Sequence, residues 1–402
     1  MGTNLRVECY IGQEMKNGPP MDEFQSYFRI EKAYEKRLHY GQFLEPRLRE
    51  LLSVIEFVNK DFRTLYCALI DEWLSDGFWW IIKLGDEIGG FAIPPTHHRK
   101  SLSIYANGVA VPNVEWGLPS EVDQKVRPWL NNHYGFKAPY TWTNGEVEFA
   151  LRASDASFQL PVHTNFWLVP TKIAPPSGDQ LRRISCGNDD PDAHAIVGAS
   201  LFKKFDRLCK EHIGKSINDA DGVLDWGCGW GRVMRYFGKA DKLIGADIDP
   251  VNIAWAKQEN PIGRYIHISP TPPIDLPSGS VEVIYSNAVF NHLREEHQNA
   301  WLRELRRLIR SGGLLIVTLN SHVSWALLGW FEVSNCIRWL EEGFSVGGEN
   351  ADLADVLKNG SYVDVAHTHA YIHRVFSQYF HVIDILEGFT GGGLAAVVMR
   401  AE

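Results

Sequence analysis

Leu224-Asp225-Trp226-Gly227-Cys228-Gly229-Trp230-Gly231-Arg232 is the stretch on which the reading of this chain turns. Residues 223–226 make a short apolar run of the strand type, and glycines follow at 227, 229 and 231. Glycine lets the chain turn sharply off a strand end and leaves bare backbone for a ligand to lie against. The dinucleotide fingerprint G-x-G-x-x-G requires its third glycine where Arg232 stands. Asp225, two residues ahead of the first glycine, adds a charge that repels a diphosphate and attracts a cationic, amino-acid-like ligand.

Outward from that turn, helix and strand signals alternate. A helix at 192–213 precedes the strand 223–226, and a helix is expected from Gly231. Then follow a strand at Lys242–Asp247, a helix at Pro250–Glu259, strands at Tyr265–Ile268 and Val281–Ser286, a helix at Glu295–Ile309 and a strand at Gly313–Leu319. This order predicts right-handed crossovers and a parallel sheet. Val382–Leu386 and Leu394–Met399, joined through Gly391-Gly392-Gly393, place an antiparallel strand last. Asp247 falls 22 residues after Asp225, the spacing at which an acid meets ribose hydroxyls, while Asp249 before Pro250 is a helix N-cap.

Upstream the pattern differs. Residues 22–75 are helix-like, with Leu44, Leu48, Leu51, Leu52, Ile55 and Val58 at three- and four-residue steps. From about Ser101 the period shortens: Leu102–Ala106, an Asn107-Gly108 turn, then Val109–Val111. Phe136–Trp142, Val147–Arg152 and Phe166–Val169 continue the strand character. The expected division is a helical N-terminal region 1–95, a small β-rich module 96–172, a linker 173–191 and an α/β domain 192–402.

Residues 192–402 resemble a class I, Rossmann-like S-adenosylmethionine-dependent methyltransferase. The glycine turn, the Asp247 strand end, Asp275–Ser280, Ser286–Leu293 and Leu305–Gly313 carry the likeness, with Ser311 where the family has proline. More narrowly, Val289-Phe290, His292-Leu293, Trp301-Leu302, Glu304-Leu305 and a late Tyr-His pattern resemble a bacterial subgroup often associated with glycosyltransferases. The cofactor suits the charge argument, having an ammonium and a sulfonium and no phosphate. The resemblance implies cofactor contacts from Asp225, Gly227, Cys228, Gly229, Gly231, Asp247, Ile248, Ser286 and Asn287. Ser269-Pro270-Thr271-Pro272-Pro273 stands where the family has an acid for the adenine amino group, so that contact is in doubt.

Three histidines compete as general base. His367 leads through the subgroup's pattern, His292 sits in the strand-end motif, and His369 follows in the late insertion. An acceptor pocket is expected from Asn291, Asn320, Trp325, Trp330 and Tyr371, with residues 321–359 as an aromatic cap or as ordinary core. His367, His369 and His373 lack a carboxylate or cysteine at familiar spacing, so no metal is expected. The N-terminal aromatics (Trp116, Trp129, Tyr134, Tyr140, Trp142) are read as core before sugar platforms.

A net charge of −9 argues against nucleic acid, and Arg303, Arg306, Arg307 and Arg310 have the spacing of a solvated helix face. Met1-Gly2-Thr3-Asn4 lacks a signal-peptide start, no apolar run spans a membrane, and six scattered cysteines suit a reducing compartment. The expectation is a cytoplasmic enzyme, with a homodimer allowed, that O-methylates a small-molecule or glycan-related acceptor. The alternatives are N- or C-methylation of a small metabolite, and a non-catalytic binding subunit of the same fold.

Overall fold

The computed structural model describes residues 74–402 apart from 75, 95–101, 121–132, 156–157, 185–188, 239–240, 329–338, 340–341, 350–352, 354 and 358–361. The expected helices at 22–75 therefore lie outside the described residues.

Four-stranded sheets open the described chain. One has the order β1-β2-β6-β5, from Phe78–Lys83 (β1), Glu87–Ile93 (β2), Glu115–Leu118 (β5) and Gly135–Pro139 (β6). The other has the order β4-β3-β7-β8, from Leu102–Ala106 (β3), Val109–Ala110 (β4), Val147–Ala153 (β7) and Phe166–Leu168 (β8). The Asn107-Gly108 hairpin is present, with φ of 48° and 78°, the paired left-handed conformations of the expected turn. Strands begin earlier than the change of period at Ser101 suggested. Phe78-Trp79-Trp80-Ile81-Ile82 hides its alternation because both faces are covered; Trp79 and Ile81 are buried in the module core and Phe78 packs with Leu74 and Phe91 on the other side.

The segment expected as a linker holds regular structure among its described residues. It carries the short helix α1 (Gly178–Arg182), whose Leu181 is buried. Next comes α2 (Pro191–Ile213), capped by Asp190 accepting from Asp192 N, with Pro191 in its first turn and Gly214 closing it at φ 74°.

Beyond α2 lies a seven-stranded sheet in the order β11-β10-β9-β12-β13-β17-β16. Its strands are Val223–Trp226 (β9), Leu243–Asp247 (β10), Arg264–His267 (β11), Val281–Ser286 (β12), Ile309–Leu319 (β13), His381–Leu386 (β16) and Ala395–Arg400 (β17). β9 to β13 pair in parallel, and β17 runs antiparallel to both β13 and β16, so the last strand is the reversed one, as expected. Alternate residues feed opposite cores. Leu224, Ile284, Leu315 and Val397 pack with α4 (Glu295–Leu308) and α6 (His369–Phe376) on one face. Val223, Val283, Leu314 and Val398 pack with α2 and α3 (Pro250–Glu259) on the other.

The helix expected from Gly231 is reduced to one 3₁₀ turn, Met234–Tyr236. Only a few residues separate the glycines from Gly238, too few to repay helix nucleation. After β13 the chain forms α5 (His322–Leu328), then β14 (Phe344–Glu349) pairs antiparallel with β15 (Val363–His367). The late insertion is thus part helix and part strand among the described residues. Among them, no helix is long and apolar enough to cross a membrane.

Candidate functional site at the carboxyl edge of the sheet

Ligands of open parallel sheets bind beyond the carboxyl ends of the strands. Here that edge carries the glycine turn after β9, Asp247 at the end of β10, residues 287–292 after β12 and residues 320–322 after β13.

The glycine turn spends its donors on itself. Gly227 N and Cys228 N both donate to Ala246 O (2.8 and 3.2 Å), Gly229 N donates to Asp247 Oδ2 (2.7 Å), and Gly231 N to Cys228 O (2.9 Å). A phosphate cradle depends on N–H groups left free to point at the anion. These four have none to give, which agrees with the charge argument against a diphosphate. Gly227 has φ 83°, and a Cβ there would collide with the Val289 side chain from the turn after β12. The two turns therefore face each other across a narrow cleft.

Two carboxyls sit in that cleft. Asp225 is buried, and burial, only partly offset by Tyr285, pushes it up to about 8; Asp247 adds to the rise and Arg232 opposes it. A cation placed beside it restores the ionised form. Asp247 is pushed up to about 6 by burial, against the pull of the backbone N–H groups of Asp249 and Gly229. It accepts from Gly229 N and Asp249 N (2.8 Å), so it anchors the glycine turn to β10 while lone pairs remain for a ribose hydroxyl.

Asp249 caps α3 as expected, accepting from Val251 N at 3.0 Å. Sequence reasoning missed its other partner. Arg183 donates Nε to Asp249 Oδ2 (2.7 Å) and Nη2 to Oδ1 (3.0 Å), and also reaches both Asp355 oxygens (3.0 and 3.2 Å). One guanidinium thus joins the expected linker, the cofactor edge and the late insertion. Its neighbour Ile184 lies over the glycine turn, where Cγ2 would be 3.3 Å from a Cβ on Gly229.

Across the cleft, Ser286 is buried at the end of β12 and its Oγ has no hydrogen-bond partner. Thr318 Oγ1 accepts from Ala288 N (2.9 Å) and donates to Asn287 Oδ1 (3.0 Å), pinning this turn to β13. Ala288 holds φ 59°, a conformation costly for a residue with a Cβ. Residues 290–292 follow as a 3₁₀ turn. His292 there accepts from Asn291 Nδ2 at Nε2 (3.0 Å), lies 3.0 Å from Asp364 Oδ1 at Nδ1, and stacks on Tyr362 with centroids 4.3 Å apart.

Several expected site residues are corrected. His367 is fully buried, with Nε2 3.0 Å from Gln298 Oε1 and Nδ1 facing Asn320 O; burial brings it down to about 3. Such a ring stays neutral and walled in by protein, so it is no base. Tyr371 is buried against Phe344 and His367 and donates to Glu295 Oε1 at 2.9 Å. Asn320 gives Nδ2 to Val365 O (3.0 Å) and its carbonyl to His367 N (2.9 Å), tying β13 to β15. Trp325 is buried and stacked on Trp339 at 5.3 Å, which decides for core over acceptor wall; Trp330 lies outside the described residues. Cys228 is buried behind the turn near Gly245, its thiol pushed well up by burial, and Gly231 is given over to close packing against Tyr265 and Asn260. Two arginines of the expected solvated face, one in α4 and one at the start of β13, are likewise structural. Arg307 binds Glu304 and the carbonyls of Leu276 and Ile274, and Arg310 pairs with Asp221 and Glu282.

What remains together at the edge is Asp225, Gly227, Gly229, Asp247, Ile248, Ser286, Asn287, Asn291 and His292. His369 stands apart, hydrogen-bonded through Nε2 to Glu387 Oε1 at 2.7 Å. The remaining set fits a cationic, phosphate-free cofactor: a buried carboxyl, a turn whose N–H groups at 227, 228, 229 and 231 are already hydrogen-bonded, and a close approach that only glycine allows.

Residues 224–317 match the protein family described as "Methyltransferase domain". The curated proteins with detectable similarity include "Ribosomal protein L11 methyltransferase" of Burkholderia multivorans, 27% identical over 40% of this chain and 53% of that one. The protein of the same name from Burkholderia cenocepacia is 28% identical over 36% of this chain and 46% of its own. The chain spans about half the length of the curated relatives it matches. Among solved structures, the 1,6-didemethyltoxoflavin-N1-methyltransferase of Burkholderia thailandensis aligns at TM-score 0.37 and 12% identity, over 59% of this chain and 95% of that one. A TehB-like SAM-dependent methyltransferase of Corynebacterium glutamicum aligns at TM-score 0.29 and 19% identity, over 45% and 80%. Residues 224–317 thus carry a methyltransferase domain.

Proposed function

We propose that the chain transfers a methyl group from S-adenosylmethionine to an oxygen of a small-molecule or glycan-related acceptor, with His292 as the base. The cofactor supplies an electrophilic methyl on a sulfonium, open to in-line attack. Asp225 holds its ammonium and Asp247 its ribose, while Ile248, Ser286 and Asn287 line the approach.

The observation that carries oxygen chemistry is the His292–Asp364 pair at the turn after β12. A hydroxyl must lose its proton as it attacks, whereas a carboxylate or neutral amine need not. Asp364 places a carboxylate 3.0 Å from Nδ1, on the side of the ring away from Nε2, the nitrogen that faces the acceptor in this reading. Asn291 Nδ2 donates to that nitrogen, so an acceptor hydroxyl takes the place of Asn291 there and Asn291 turns to bind it.

The N-terminal strands belong to the acceptor side in this reading. Leu74, Phe78, Phe91 and Tyr134 pack with Val323 and Leu327 of α5, directly after the β13 edge. The cofactor-binding body then begins with α1, so the boundary moves from 192 to about 178.

The test is transfer from methyl-labelled cofactor to a panel of sugars, phenols, amines and purified ribosomal protein L11, scored by mass shift. Label on a hydroxyl acceptor supports the reading. Transfer only to amines or to L11 replaces it with nitrogen chemistry, and S-adenosylhomocysteine binding without any transfer points to the non-catalytic alternative.

A further inference from the structure

We propose that His322, His369 and Glu387 bind one divalent first-row transition-metal ion, a site separate from the cofactor cleft. Each residue follows the end of a different strand. His322 stands just past β13, His369 just past β15 and Glu387 just past β16. Their ligand atoms all lie within 4.8 Å of one another. His369 Nε2 is 2.7 Å and His322 Nδ1 3.7 Å from Glu387 Oε1, and the two imidazole rings have centroids 4.3 Å apart. Metal–ligand bonds of about 2.0–2.2 Å at tetrahedral angles put neighbouring donors roughly 3.4 Å apart. The three groups thus converge to within about 1.5 Å of a coordination shell.

The carboxylate is held in place. Glu387 Oε1 accepts from His322 N and Oε2 from Val323 N, both at 3.2 Å. His369 is fixed at the start of α6, which Thr368 caps by accepting from Tyr371 N at 3.2 Å, and His322 packs edge-on against Trp339 at 5.8 Å. The three side chains are 11%, 14% and 23% exposed, so an ion has a way in.

Two imidazoles and one carboxylate select the metal class. This donor set is that of zinc sites with an open position and of ferrous facial triads, and it is too nitrogen-rich for calcium or magnesium. Three protein ligands leave one to three positions for oxygen donors of a small ligand. A pair of ordinary histidine–carboxylate contacts would explain the 2.7 Å bond to His369, but it does not require the second imidazole to turn its nitrogen toward the same oxygen. The proposal goes beyond the methyl-transfer reading and stands without it.

The full chain, stripped with chelator, is titrated with Zn²⁺ by calorimetry and with Co²⁺ by visible absorption. The variants are His369→Ala, His322→Ala and Glu387→Gln, with His381→Ala as a control outside the cluster. One equivalent bound by the native chain and by His381→Ala is expected. Removing a hydrogen-bond partner of a metal ligand weakens binding by about 10–100-fold, so losing a ligand itself should cost at least about 100-fold. Circular dichroism melting identifies which variants are folded. Loss of binding in the folded variants supports the site. No binding of either ion by the native chain, or retention in any folded variant of the three, overturns it.

Discussion

Replacing Arg183 by alanine removes two charge-assisted hydrogen bonds from Asp249, a carboxylate with no exposed surface. Deleting one partner of a buried pair costs about 3–5 kcal/mol, because the other charge is left desolvated. Asp249 keeps Val251 N at 3.0 Å and Asn252 Nδ2 at 2.8 Å, and the Arg183 side chain is itself 20% exposed. Those remaining donors reduce the expected loss to about 2–3 kcal/mol. Asp355, on the other arm of the guanidinium, is 57% exposed, so Asp355→Ala should cost no more than about 1 kcal/mol. Urea denaturation of the full-length native chain and both variants separates the two effects. S-adenosylhomocysteine titration of Arg183→Ala should also show weaker binding, since Ile184 loses the anchor that keeps it over Gly229. An Arg183→Ala variant within 0.5 kcal/mol of native, or no less stable than Asp355→Ala, would refute the buried-clamp argument.

Other outcomes follow from the same geometry. Because burial pushes Asp225 up to about 8 and the ligand's ammonium needs it ionised, affinity for S-adenosylhomocysteine should fall about tenfold per pH unit below 8; calorimetry across pH 6–9 checks this, and Asp225→Asn should flatten the profile. His292→Ala should lower turnover by about two to four orders of magnitude with cofactor affinity kept, whereas His367→Gln should lower the melting temperature and leave turnover per folded molecule near native. The opposite pattern in paired kinetic and melting data would restore His367 as the base. Gly227→Ala must adopt φ near 83° and push against Val289, so it should destabilise the fold by roughly 1–3 kcal/mol and close the cofactor cleft, read by denaturation and by ligand titration.

The parts of the fold that were legible in the sequence rest on short-range chemistry. Asn107-Gly108 declares its turn by itself, Asp249-Pro250 declares a helix start, and the glycines after Trp226 declare a sharp exit from a strand. Burial was harder to read. His367 carries the same side chain as His292, and only the pairing of β15 with β14 and the reach of Gln298 enclose it. The Arg183 clamp was invisible because its partners stand 66 and 172 residues away and nothing local marks an arginine as bidentate. The His322–His369–Glu387 cluster is hidden for the same reason, since these side chains stand far apart along the chain and converge only across strands. The absent helix after Gly231 shows the reverse error, an alternation of helix and strand extended to a stretch with too few residues to build the helix.

Helix α2 serves two cores. Ile196 packs among the N-terminal strands with Trp79 and Phe166, while Phe202, Phe205 and Cys209, about two to four turns on, pack beneath the seven-stranded sheet. A helix cannot melt at one end of such a seam without loosening the other, so the two bodies share a single unfolding transition in place of one each. Calorimetric melting of the full chain should give one peak whose van't Hoff and calorimetric enthalpies agree. Insertions in the N-terminal strands then reach the cofactor edge as changes in the population of the folded whole, even where no atom of that edge has moved.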